Sequence, residues 1–172
     1  MKIRTGGPDD APALLALLDD AVAWLVSLGR TGQWGTEPWS ARPAAAERVR
    51  RYARDHLVRV AETVDGRPAG VCVLAEEPPK YAPPVAGREL YVRLLVTDRA
   101  LSGSGVGRAL VEDAAAEARR RGIALLRVDC YDGDDHRLVR QYEALGFTAA
   151  DGFTVEAPGR EPWPGRILER RP

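Results

Sequence analysis

The chain has 172 residues, 45% hydrophobic and 29% charged, with 25 Lys and Arg balanced by 25 Asp and Glu. That is ordinary globular composition with enough length for a substantial core, and the zero net charge argues against a nucleic-acid or anionic-membrane partner. A single domain over residues 1–172 is expected. No apolar run approaches the ~20 residues that a membrane-spanning helix needs. The opening segment, with Lys2, Arg4 and Pro8-Asp9-Asp10, lacks the apolar stretch of a secretory signal, so a soluble cytoplasmic protein is expected. Cys72 and Cys130 fall in strand-like runs and read as buried thiols rather than a disulfide.

In chain order, residues 2–5 predict a short strand, and Pro8-Asp9-Asp10 opens a helix on which Leu14, Leu18, Ala21, Val22, Leu25 and Leu28 recur at helical spacing. Gly29 can end it. A loop over residues 30–40 carries Trp34 and Trp39. A second helix is expected over 42–55, with Val49, Tyr52 and His56 on one side. Residues 57–64 and 69–75 read as a hairpin around Asp65-Gly66-Arg67-Pro68. Residues 76–87 form a second loop with four prolines and Tyr81. An apolar-rich strand over 89–96 follows. A helix over 107–121 turns Leu110, Val111, Ala114, Ala115 and Ala118 inward and closes on Arg119, Arg120, Arg121 and Gly122. Residues 124–130 read as a buried strand, Asp134 or Asp135 as the cap of a last helix ending near Gly146, and 147–156 and 166–170 as late strands.

The most informative segment is Ser102-Gly103-Ser104-Gly105-Val106-Gly107-Arg108. Glycines at alternate positions let the backbone turn tightly and approach a ligand. The helix that follows leaves its first N–H groups unpaired and carries partial positive charge at that end. Such a corner suits a phosphate or pyrophosphate. It is not a P-loop, which needs Lys and Ser or Thr after the last glycine, where this chain has Arg108-Ala109. Nor does the spacing match Gly-x-Gly-x-x-Gly, although Asp129 lies where a ribose-binding acid would. A Gly/Ser turn that binds nothing is the bland alternative.

Taken with Tyr142-Glu143-Ala144-Leu145-Gly146-Phe147, this segment resembles the GNAT superfamily of N-acetyltransferases. The family pattern is Arg/Gln-x-x-Gly-x-Gly/Ala between a strand and a helix, then a strand, a polar loop and a helix with Tyr-Glu-x-x-Gly-Phe. Ser102 replaces the usual Arg or Gln, one residue is inserted between Val96 and Gly105, and Asp135 stands where asparagine is common. The resemblance implies an α/β (α+β) fold: a mixed, mostly antiparallel twisted sheet with splayed central strands and helices on both faces.

It also implies acetyl-CoA as cosubstrate, lying between the strands at 89–96 and 124–130. Backbone groups of Leu94, Leu95 and Val96 would hold the pantetheine arm. Gly103, Ser104, Gly105, Val106, Gly107 and Arg108 would hold the pyrophosphate, with Asp135 nearby. Tyr142 matches the tyrosine that protonates the leaving thiolate. Glu89, sharing a strand face with Tyr91 and Arg93, is the candidate general base, although a Glu beside an Arg also reads as an ion pair; Glu76, Glu77 and Asp129 are alternatives. Trp34, Trp39, Tyr81 and Glu76 are candidates for an acceptor pocket. The expected activity is direct acetyl transfer to a primary amine of a small molecule, without a metal, a nucleic acid or a membrane, and with a homodimer left open. The same architecture could serve as a non-catalytic acyl-CoA sensor or scaffold. A dinucleotide-binding oxidoreductase is the third alternative.

Overall fold

In a computed structural model describing residues 1–156 and 158–172, the strand-like runs of the sequence join a single sheet. Among the described residues it has seven strands: β1 (Lys2–Thr5), β2 (Leu57–Glu62), β3 (Pro68–Ala75), β4 (Leu90–Thr97), β5 (Leu126–Tyr131), β6 (Thr148–Val155) and β7 (Trp163–Arg170). Their order is β1-β2-β3-β4-β5-β7-β6. Neighbours run antiparallel except β4 and β5, which are parallel. The helices are α1 (Ala11–Ser27), α2 (Pro43–Asp55), α3 (Val106–Arg120) and α4 (Arg137–Glu143).

Period-two alternation sorts the side chains onto two faces. Cys72, Leu74, Leu90, Val92, Leu126, Val128, Cys130 and Leu168 pack on one face with Leu110, Val111, Ala114 and Ala118 of α3 and with Val139 and Tyr142 of α4. Val58, Val60, Val71, Val73, Leu94 and Val96 pack on the other with Leu14, Leu18, Ala21 and Val22 of α1 and Val49 and Tyr52 of α2. This second core draws on β2, β3 and β4 only. Beside it, Ala82, Tyr91 and Ile167 form a small separate cluster under the 76–87 loop. One face of the sheet is therefore covered by helices on its β1–β4 side and by a loop near β5 and β7.

Strands β4 and β5 pair only at Leu90↔Leu126, Tyr91↔Arg127 and Val92↔Val128, and then part. The cause lies on the other edge of β4. Against β3, Leu74 faces Val92 and Val73 faces Leu94, so Arg93 is an extra residue. Such a bulge bends the strand and increases its twist. It follows the last β4–β5 pair directly and carries residues 94–97 away from β5.

Several boundaries differ from the sequence-based expectations. α3 begins at Val106, because Gly105, in the left-handed conformation at φ 89°, is its N-cap. α4 is shorter than expected and stops at Glu143; Gly146, also at positive φ, lets the Phe147 N–H reach back to the Tyr142 carbonyl at 3.1 Å. Neither Asp134 nor Asp135 caps α4. Both have positive φ, as does His136, the actual N-cap; three successive left-handed residues make this a strained turn. β7 starts at Trp163, earlier than its glycine and proline suggest. Leu28 does not complete the apolar stripe of α1 but is 46% exposed.

Candidate active site

The gap between β4 and β5 opens into a cavity of about 200 Å³. Its walls come from β4 (Leu95, Val96, Thr97), α3 (Gly107), β5 (Tyr131), α4 (Leu138, Gln141, Tyr142), α1 (Trp24, Leu25) and the following loop (Gln33, Trp34). Beyond Val92, β4 has no strand partner on its β5 side among the described residues. Its backbone there can pair with an extended ligand as a sheet edge does.

At one end of the gap lies the glycine loop. Gly103 and Gly105 have φ of 81° and 89°, a conformation that L side chains adopt at a cost. The first helical bond of α3 runs from the Ala109 N–H to the Gly105 carbonyl, so the N–H groups of Val106, Gly107 and Arg108 have no partner within the helix. A Cβ built on Gly107 would meet only the Thr97 methyl, at 3.9 Å, and Gly107 lines the cavity. These donors fit a pyrophosphate. Arg108 is otherwise engaged: Nη2 donates to the Ala144 carbonyl at 3.1 Å, which ties α3 to the end of α4.

Tyr142 lines the cavity and is 8% exposed. Its ring packs edge-on against Phe147 at 5.6 Å. Burial pushes its hydroxyl well above the ordinary phenol range. It therefore holds its proton at any working pH, as a proton donor must. Both cysteines are free and buried; burial pushes each thiol up to about 12, so neither offers a thiolate nucleophile.

Several expected residues lie elsewhere or in other surroundings. Glu89 is not placed as a general base: it is buried, and both carboxylate oxygens accept from Arg127, at 2.5 Å and 2.9 Å. Glu76 is not in the wall of the gap cavity. It pairs with Arg88 and Arg121 near the C-terminal end of α3, at the closed end of the β4–β5 pair. Trp39 is a core residue, 7% exposed beneath the guanidinium groups of Arg42 and Arg48. Trp34, stacked edge-on against Trp39, is the one that reaches the cavity. Asp135 lies in the strained turn, while its neighbour Asp134 lines the cavity. His56, expected to favour its charged form at the end of α2, is driven toward neutrality by burial and by Arg93.

Tyr81 is not in the cavity wall but makes an unforeseen contact on β5. Its hydroxyl donates to Asp129 at 3.1 Å, and its ring stacks on Phe153 at 5.0 Å. Sequence reasoning missed Trp24, Arg99 and Tyr131. The guanidinium of Arg99 lies 4.1 Å from the centre of the Trp24 ring, Nη2 donates to Ser102 Oγ, and Nε is buried without a partner. The signal for Arg99 was the missing motif arginine at Ser102, three residues on. Tyr131 was two residues past Asp129, on the same strand face.

The chain matches the acetyltransferase (GNAT) family over residues 18–147, most of its length. It belongs to that family, and with it to the acetyltransferases. No curated protein sequence matches it. Among solved structures, a GCN5-related N-acetyltransferase from Rhodopseudomonas palustris has a TM-score of 0.73 at 19% identity, over 99% of this chain and 94% of that one. A ribosomal-protein-alanine N-acetyltransferase from Brucella melitensis has a TM-score of 0.67 at 22% identity, over 99% of both chains. A candidate acetyltransferase from Salmonella typhimurium, yncA, solved with its cofactor acetyl-CoA, has a TM-score of 0.67 at 20% identity, over 99% of this chain and 93% of that one. At these identities the shared property is the fold.

Proposed function

We propose that the chain transfers the acetyl group of acetyl-CoA to a primary amine of a small molecule, by direct attack while both substrates are bound. The observation that carries this is the cavity where β4 and β5 part, with the unpaired N–H groups of α3 at one end and the protonated Tyr142 in its wall. The free edge of β4 over Leu94, Leu95 and Val96 would hold the pantetheine arm. The segment from Gly103 to Arg108 would hold the pyrophosphate through its backbone. Arg99, bonded to Ser102, brings a guanidinium to the loop where the family pattern has Arg or Gln. Direct transfer is favoured over an acyl-enzyme because the two cysteines keep their protons. Tyr142 would give its proton to the departing thiolate and regain one from the amine.

Two measurements test this. Saturating acetyl-CoA should raise the melting temperature while NAD and ATP leave it unchanged, since a ligand of the native state alone stabilises by mass action. No shift with acetyl-CoA sinks the proposal. In a thiol-release assay, Tyr142→Phe should lower turnover by roughly 10²- to 10⁴-fold, the range of a lost general acid or base, with acetyl-CoA affinity kept. Wild-type turnover in that variant would leave Tyr142 a packing residue, with water as the acid.

A further inference from the structure

Asp129 differs from the other acids around the gap. Glu89 has Arg127, and Asp132 has Arg166 and His136. Asp129 has no cationic partner within ion-pair distance among the described residues; its side-chain partners are phenols, Tyr91 at 2.6 Å and Tyr81 at 3.1 Å. The nearby Arg93 is committed elsewhere. Its Nη1 donates to the Glu77 carbonyl at 2.9 Å, and its guanidinium lies over the Tyr52 ring at 5.5 Å. A carboxylate withdrawn from water without a cation is costly, and two neutral donors offset only part of that. Asp129 therefore has a cation, Arg93, only at a distance and none in direct contact.

Its position indicates where a contacting cation comes from. Asp129 is the first β5 residue beyond the last pair with β4. Asp129 is not itself in the cavity wall, but it shares a strand face with Tyr131, which is, roughly 7 Å further along the strand. A run of aromatic rings joins the two: Tyr81 stacks on Phe153 at 5.0 Å, Phe153 contacts Trp163 at 6.1 Å, and Trp163 contacts Tyr131 at 5.7 Å.

The geometry points to Asp129 as the residue that anchors the acceptor's ammonium group and takes its proton, and to an amine with a flat aromatic body as the acceptor class. This rests on the acetyl transfer proposed above. The ammonium gives one proton to the Asp129 carboxylate. The freed nitrogen lone pair forms the C–N bond at the acetyl carbonyl, the C–S bond breaks, and the thiolate takes the Tyr142 proton. The nitrogen then loses a second proton. One of the two amine protons returns to Tyr142 and the other leaves to solvent, so an ammonium ion and a thioester become an amide, a thiol and one proton. Tyr81 and Tyr91 position the carboxylate, and the aromatic run holds the acceptor's body.

The test uses Asp129→Asn, which keeps an oxygen for both phenols but removes the charge, with phenethylamine, benzylamine and n-butylamine as probes. In the wild type, the aryl amines should have a KM several-fold below that of n-butylamine. Asp129→Asn should lose roughly 10²- to 10⁴-fold in kcat/KM for all three while keeping the full melting shift with acetyl-CoA. Calorimetric binding of phenethylamine to the wild type in the presence of coenzyme A should vanish in the variant. Wild-type turnover in Asp129→Asn overturns the proposal. So does a wild type that binds acetyl-CoA yet neither binds nor acetylates any of the three amines. Absence of the acetyl-CoA shift itself would instead mark failure of the underlying acetyltransferase assignment.

Discussion

At the scale of single residues, burial decides what the titratable groups can do. It holds Tyr142 protonated, and it holds Asp129 above the ordinary carboxylate range against the lowering influence of Tyr91, Tyr81 and Arg93. The Asp129 effect has a signed consequence for stability. A carboxyl whose pKa is raised on folding favours the native state fully below its unfolded value, about 3.9, and that contribution is lost as the pH rises through the folded value. Asp129→Asn should therefore raise the melting temperature at pH 7 and have a smaller effect near pH 3.5, with the facing groups Tyr81, Tyr91 and Arg93 unchanged; calorimetric scans at the two pH values check this. A melting point lowered at pH 7 would mean that the phenol hydrogen bonds outweigh the cost of the charge. Gly107 gives a second prediction. A side chain there meets little protein but enters the cavity, so Gly107→Leu should abolish the acetyl-CoA shift without lowering the apo melting temperature. Gly105, at φ 89°, is the poorer position for this test, since a branched residue would strain the loop itself.

At the scale of elements, the opening between β4 and β5 depends on what keeps them together where they do pair. Glu89, one residue ahead of β4, and Arg127 of β5 form a bidentate ion pair whose side chains are 5% and 2% exposed, and Arg127 also donates to the Pro83 carbonyl of the overlying loop. Removing one partner of a buried pair leaves an uncompensated charge and costs about 3–5 kcal/mol. Glu89→Gln should show a loss of that size in denaturant unfolding, whereas Glu47→Gln, which breaks an exposed pair with Arg50, should change stability little. The strands themselves were legible because alternation and apolar runs are local properties. The roles of Glu89 and Trp39 were not. Which glutamate meets which arginine depends on parallel pairing between residues 38 positions apart, and whether a tryptophan faces ligand or core depends on where α1 and α2 cross. The bulge at Arg93 left no local mark either, since an extra residue shows only against the partner strand.

At the scale of the whole molecule, the glycine loop and the Tyr142 segment were readable because each carries its pattern within a few residues of sequence. The acceptor side was only partly readable. Tyr81, Tyr91, Asp129, Phe153 and Trp163 are scattered over more than 80 residues and meet only because β7 lies between β5 and β6. The zero net charge conceals extensive arginine–carboxylate pairing, including Arg59–Asp113 between β2 and α3 and Arg4–Asp10 at the start of the chain. The β5–β7–β6 arrangement also bears on how the chain emerges from the ribosome. Strands β1 to β5 can collapse in order of synthesis, but the outer edge of β5 waits for Trp163–Arg170, which are made after β6. Until then a nascent chain carries an uncapped apolar strand beside the future catalytic gap, open to pairing with another chain. Only when Trp163–Arg170 are clear of the ribosome can the chain close its sheet and bring Trp163 beside Tyr131.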